Sequence, residues 1–141
     1  MDRLSRVPGM HHKALWPLTK RANRGVRGYP IATIAFYGPD DRRASKAAVG
    51  IVPSERAEPA ECERWFSDDH DIRDDLDIAT AMQTFIERHA VKTVVIADRI
   101  IGCPHEEGKD YLEGEKCPQC PFWANRDRWS GKLIERHIPS G

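Results

Sequence analysis

The chain has 141 residues, with 22 basic and 22 acidic side chains, no net formal charge and a hydrophobic fraction of 40%. That length suits one core rather than two, and the composition is that of a globular chain rather than a disordered or fibrous one. No apolar run approaches the ~18 residues of a bilayer span, and the first residues lack the apolar stretch and cleavage site of a secretory signal, so no membrane association is expected and the expected location is cytoplasmic.

From Met1 to about Gly28 the chain holds seven Lys or Arg against Asp2 alone, with scattered apolar residues and no sustained period. This predicts a basic, irregular arm over residues 1–28, with one short helical turn near Ala14 to Leu18 and little contribution to the core. Such an arm can bind a polyanion, or it can be solvated or folded back on acidic residues of its own chain. After Pro30, the run Ile31 to Tyr37 is β-branched and aromatic, which predicts a strand apolar on both faces. Gly38-Pro39-Asp40-Asp41 is turn chemistry, and a second strand from Ser45 to Val52 completes an antiparallel hairpin with Arg42 and Arg43 at its tip.

Residues 53–60 read as a loop, with Trp65 and Phe66 closing it onto the core. Ten acids crowd residues 53–80 against Arg56, Arg64 and Arg73. Ile72, Leu76, Ala79, Met82, Phe85, Ile86 and His89 follow three- and four-residue steps, predicting an amphipathic helix from about Asp71 to His89. Its acidic start and basic end suit the helix dipole. Thr93 to Ala97 predicts a strand buried on both faces, extended or ended by residues 98–101 and lying in the middle of a mixed sheet. The expected fold is therefore α+β, a single domain over residues 29–141 that ends in a zinc-knuckle segment at 102–129.

That segment carries the chemistry. Cys103-Pro104-His105, eleven further residues, then Cys117-Pro118-Gln119-Cys120 offer three sulfurs and one imidazole. Zinc takes four such ligands in a tetrahedron, and short loops between paired ligands are how small sites supply them. A C-x-x-C redox pair needs a strand before it and leaves Cys103 and His105 unexplained, while inert packing leaves the spacing unexplained. Cys62 stays outside the set and reads as a small hydrophobe, since Glu61 and Glu63 disfavour a thiolate. His105-Glu106-Glu107 ahead of a C-x-x-C also echoes zinc nucleoside deaminases, in which a glutamate moves protons for a metal-bound water. Eleven residues are too few for the strand that separates the two motifs in those enzymes, and a fourth protein ligand leaves no position for water.

The block from Gly102 to Trp129, with GCPHEEG and then CPQCPFW, resembles a segment of small uncharacterised bacterial proteins carrying a GCPHEEG and CPxCPFW pattern. The resemblance covers about half the chain from the central helix onward; it implies metal binding and no particular activity. Past the knuckle, Phe122, Trp123, Arg126, Arg128 and Trp129 interleave aromatics with cations, a texture that stacks bases and holds phosphates or covers a small core. The expected function is a zinc-stabilised, non-catalytic module that binds nucleic acid through the arm and through Arg42, Arg43, Lys46, Arg126, Arg128 and Trp129. The alternatives are a zinc hydrolase or deaminase-like enzyme using Glu106 or Glu107 as proton carrier, and a subunit that recruits a basic protein partner through the acidic helix.

Overall fold

The structure is a computed structural model and describes residues 12–125. A 3-10 turn, Lys13–Leu15, runs into helix α1, Trp16–Ala22. Strands β1 (Ile31–Tyr37), β2 (Lys46–Val52) and β3 (Glu61–Phe66) follow, then helix α2 (Leu76–Arg88) and strand β4 (Thr93–Ile100). The fold is α+β, with one mixed four-stranded sheet in the order β3-β2-β1-β4. β1 pairs antiparallel with β2 and parallel with β4, and β2 pairs antiparallel with β3.

Directly paired residues project to the same side of a sheet, so the register separates two faces. On one face Ala32, Ile34 and Phe36 align with Ala47, Val49, Ile51 and Val94, all buried. α2 lays its apolar stripe, Ala79, Met82, Phe85 and Ile86, into the same core. The other face carries Thr33, Ala35 and Tyr37 beside Gly50, Ala48 and Lys46, and beyond them Cys62, Arg64 and Phe66.

Several expectations need correction. The arm is not peripheral from residue 12 onward: Ala14, Leu15, Leu18 and Thr19 are buried, and α1 lies against β4. Their three- and four-residue spacing gives α1 a buried side, which the charges around it obscure in the sequence. Residues 61–66 form an additional strand, where the sequence marks only Trp65 and Phe66 as core contacts. Their Glu, Arg and Glu side chains stay in solvent on an edge strand, so no apolar alternation marks it. Trp65 does close onto the core, edge-on to Phe85 with ring centroids 6.1 Å apart, but Phe66 points the other way and is 61% exposed. β4 lies at the edge rather than the middle, because β2 holds the second side of β1 and β3 the second side of β2. Its Val94 is buried while Val95 is exposed, so one of its faces is open.

The single helix expected from Asp71 is instead a 3-10 turn at Ile72–Asp74 followed by α2, because two aspartates cap in succession. Asp71 accepts from the Arg73 amide, and Asp75, in extended conformation, accepts from the Ile78 amide at 2.9 Å. His70 sits between two carboxylates, Nε2 2.7 Å from Asp75 and Nδ1 2.6 Å from Asp69. The hydrogen bond to Asp75, then that to Asp69, raises the imidazole above its ordinary value. In return His70 lowers Asp69, and the Ile78 amide followed by His70 lowers Asp75.

A raised histidine stabilises the fold fully below its unfolded value near 6.5, and that contribution disappears as pH rises through the higher folded value. The lowered carboxylates contribute above 3.8, and their share disappears as pH falls through their folded values. A His70→Ala chain is therefore expected to show its largest stability deficit against the parent between about pH 4 and 6.5, narrowing on both sides. Urea denaturation across pH checks this; a deficit that is flat from acid to alkaline pH contradicts it.

Candidate metal centre

β4 ends at Ile100, and the chain turns under the β1–β2 hairpin. The Ile101 amide donates to the Phe36 carbonyl and the Gly38 amide to the Gly102 carbonyl, which sets Cys103 in the protein interior at the sheet's end. From there a tight loop returns His105 toward Cys103. The His105 amide lies 3.2 Å from Cys103 Sγ, the peptide-to-sulfur contact that steadies a thiolate.

His105 Nδ1 then faces three sulfurs, Cys103 at 3.3 Å, Cys117 at 3.4 Å and Cys120 at 3.5 Å. One ligand atom from each of the four residues lies within 4.8 Å of all the others. In a tetrahedron with sulfur at ~2.3 Å and nitrogen at ~2.0 to 2.1 Å from the ion, the sulfur-to-nitrogen edge is about 3.6 Å. The observed edges fall just inside that length, so the four side chains form a set that can hold a metal ion. Burial pushes the Cys103 and Cys120 thiols up, and a divalent ion reverses that preference by coordinating the thiolates.

The loop between the ligand pairs folds on its own backbone. The Lys109 and Asp110 amides donate to the Glu106 carbonyl, Asp110 returns a carboxylate to the Glu106 amide at 2.7 Å, and Gly108 turns with φ +86°. Beyond Cys120, a 3-10 turn over Pro121–Asn125 carries Trp123 back to the hairpin, where its Nε1 donates to the Gly38 carbonyl at 2.8 Å. Trp123 packs on the core and meets Phe122 edge-on at 5.0 Å.

Both loop glutamates have partners. Burial raises Glu106, but Lys46 and Arg64 outweigh it and hold the carboxyl below its ordinary range. Glu107 accepts from the Gly114 amide at 2.6 Å, which commits it to the loop.

The other expected contacts divide. Arg42 is exposed at the hairpin tip, with Asp40 accepting from its amide. Arg43 is half-buried and donates to the Asp68 carbonyl at 2.9 Å. Lys46 is not a surface contact. Its side chain is 6% exposed, and Nζ lies 3.1 Å from the Pro104 carbonyl oxygen and 3.4 Å from Glu106 Oε2. Its strand position, on the same sheet face as Ala48 and Gly50, aims it at the metal loop. Arg126, Arg128 and Trp129 lie outside the described residues. On the N-terminal segment, His12 is buried with Nδ1 2.7 Å from Asp74.

Comparison with protein-family models, with curated proteins and with solved structures yields no match. No helix among the described residues is long and apolar enough to cross a membrane.

Proposed function

We propose that this chain is a zinc-stabilised, non-catalytic binding module that takes a nucleic-acid strand on its basic N-terminal face. The carrying observation is the solvent side of the first helical segment. Lys13, Trp16, Lys20 and Arg24 are all exposed at helical spacing, while Leu15, Leu18 and Thr19 on the same segment are buried. No acidic residue stands between Asp2 and Asp40, so nothing within this stretch neutralises the stripe. Cations flanking an open indole are what a strand needs, phosphates against the charges and a base against the ring. Arg42 adds charge at the hairpin tip, whose carbonyl receives Arg73 Nη2 at 3.3 Å.

Zinc is the ion that fits this donor set, because three thiolates and an imidazole favour a soft tetrahedral metal over one that prefers oxygen. Four protein ligands close the shell, and that supports a structural ion over a hydrolytic one. Thiol ligation also accords with a reducing, cytoplasmic compartment, and the resemblance of the metal block to a bacterial segment accords with a bacterial source.

Fluorescence anisotropy with a labelled single strand tests the reading. Binding is expected at ~50 mM salt, falling with added salt at a log-log slope of about −0.7 per phosphate contact. Replacing Lys20 and Arg24 together by Ala is expected to flatten that slope by about 1.4, and Trp16→Ala to cost ~1 to 3 kcal/mol of affinity. A chain that binds no DNA or RNA at ~50 mM salt rules the proposal out.

A further inference from the structure

Between the open sheet face and the metal loop lies a cleft of about 320 Å³. Lys46, Ala48, Cys62 and Arg64 line it from the sheet, and His105 and Glu106 from the loop. Ala48 gives the sheet side a small residue between Lys46 on the same strand and its β3 partner Arg64.

Cations of the lining converge on one carboxylate of the loop. Lys46 Nζ and Arg64 Nε converge on Glu106 Oε2 at 3.4 and 3.1 Å, and Lys109 Nζ reaches Oε1 at 3.7 Å. Three cations thus face one carboxylate, and the neighbouring Glu107 is tied to the Gly114 amide. The Glu106 oxygen shows what this pair of cations holds, an oxyanion set between an ammonium and a guanidinium. Arg64 meets Glu106 through Nε and its side chain is 40% exposed. A partly exposed guanidinium suits a phosphate, which presents several oxygens at once. The volume exceeds that of one phosphate and falls at the lower end of small-molecule sites of ~300 to 1,000 Å³.

We propose that this cleft binds a small phosphomonoester, with its phosphate taking the place of the Glu106 carboxylate against Arg64 and Lys46 and its organic part over Ala48 beside the metal loop. The site uses none of the residues of the α1 stripe, so it and the strand-binding face stand or fall separately. A nucleotide and a sugar phosphate share the chemistry, and the titration distinguishes them.

The full-length, zinc-loaded chain is titrated with inorganic phosphate, a nucleoside 5′-monophosphate, a hexose phosphate and succinate, following the amide resonances of Ala48, Cys62, Arg64 and Glu106. Saturable shifts at these residues are expected with at least one phosphomonoester at a Kd below about 1 mM, and its dephosphorylated form is expected to bind at least about tenfold more weakly. Arg64→Ala is expected to weaken the complex about tenfold or more with zinc content unchanged, and Arg64→Lys to restore part of the loss. The Lys20→Ala, Arg24→Ala chain is expected to bind the phosphomonoester like the parent even where it has lost the strand. The proposal is overturned if no phosphate compound gives saturable shifts, if succinate binds as tightly as the best of them, or if Arg64→Ala leaves the affinity unchanged.

Discussion

A chain carrying Cys120→Ala is expected to purify without its metal and to lose amide protection from Cys103 to Asn125, while β1 and β2 keep theirs. The reason lies in what else holds that segment. From residue 104 to 119 no side chain is buried, and Leu112, the one large aliphatic residue in the stretch, is 72% exposed. Turn hydrogen bonds around Glu106 and Gly108 shape the loop, but bonds open to solvent contribute little without burial. A structural zinc site supplies on the order of 10 kcal/mol of apparent binding free energy, far more than those turns provide. The sheet, by contrast, has a core of its own, so the loss should be regional. Hydrogen exchange by mass spectrometry, run on the parent with and without a strong chelator and on the variant, reads this directly. Equal protection of residues 103–125 in all three samples would refute both the metal and the dependence of the segment on it. Acid should mimic the chelator, because protons compete with the ion for three sulfurs and an imidazole.

Leu18→Ala is expected to destabilise the whole domain by about 2 to 5 kcal/mol, the usual cost of emptying a buried leucine site. Leu18 is fully buried in the main cluster, on a segment whose composition reads as a solvated arm. A peripheral arm would make the same substitution worth less than about 0.5 kcal/mol. Val26→Ala is the internal control, since Val26 lies a few residues on and is highly exposed, and its effect should stay within about 0.5 kcal/mol. Urea denaturation of the two variants, with the slope compared to confirm that the denatured state is unchanged, decides between these outcomes.

The hairpin, α2 and the clustering of Cys103, His105, Cys117 and Cys120 were legible in the sequence for one reason: each is specified by local chemistry. Ile31 to Tyr37 is β-branched and aromatic, Gly38 to Asp41 is turn-forming, and ligand spacing follows from the size of a tetrahedron. Elements defined by their neighbours were not legible. β3 has charged side chains because it is an edge strand, and its pairing with β2 is visible only in the assembled sheet. The split between the Ile72–Asp74 turn and α2 depends on two aspartates choosing backbone amides over solvent. Lys46 reads as a surface cation in any window of sequence, and its burial follows from Glu106 and Pro104, about sixty positions away, being brought over it. Trp123 shows the intermediate case, since its aromatic character pointed to the core while its partner Gly38 was beyond the reach of pattern.

Gly38 also joins two distant points of the metal loop. Its amide holds the carbonyl of Gly102, its carbonyl holds the indole of Trp123, and a methyl group at its α-carbon would lie 2.0 Å from the Arg43 carbonyl oxygen. One residue at a hairpin bend therefore clasps the beginning and the end of the stretch that carries the four candidate ligands. A larger side chain at that bend should disturb both ends of the stretch at once, although it replaces no ligand.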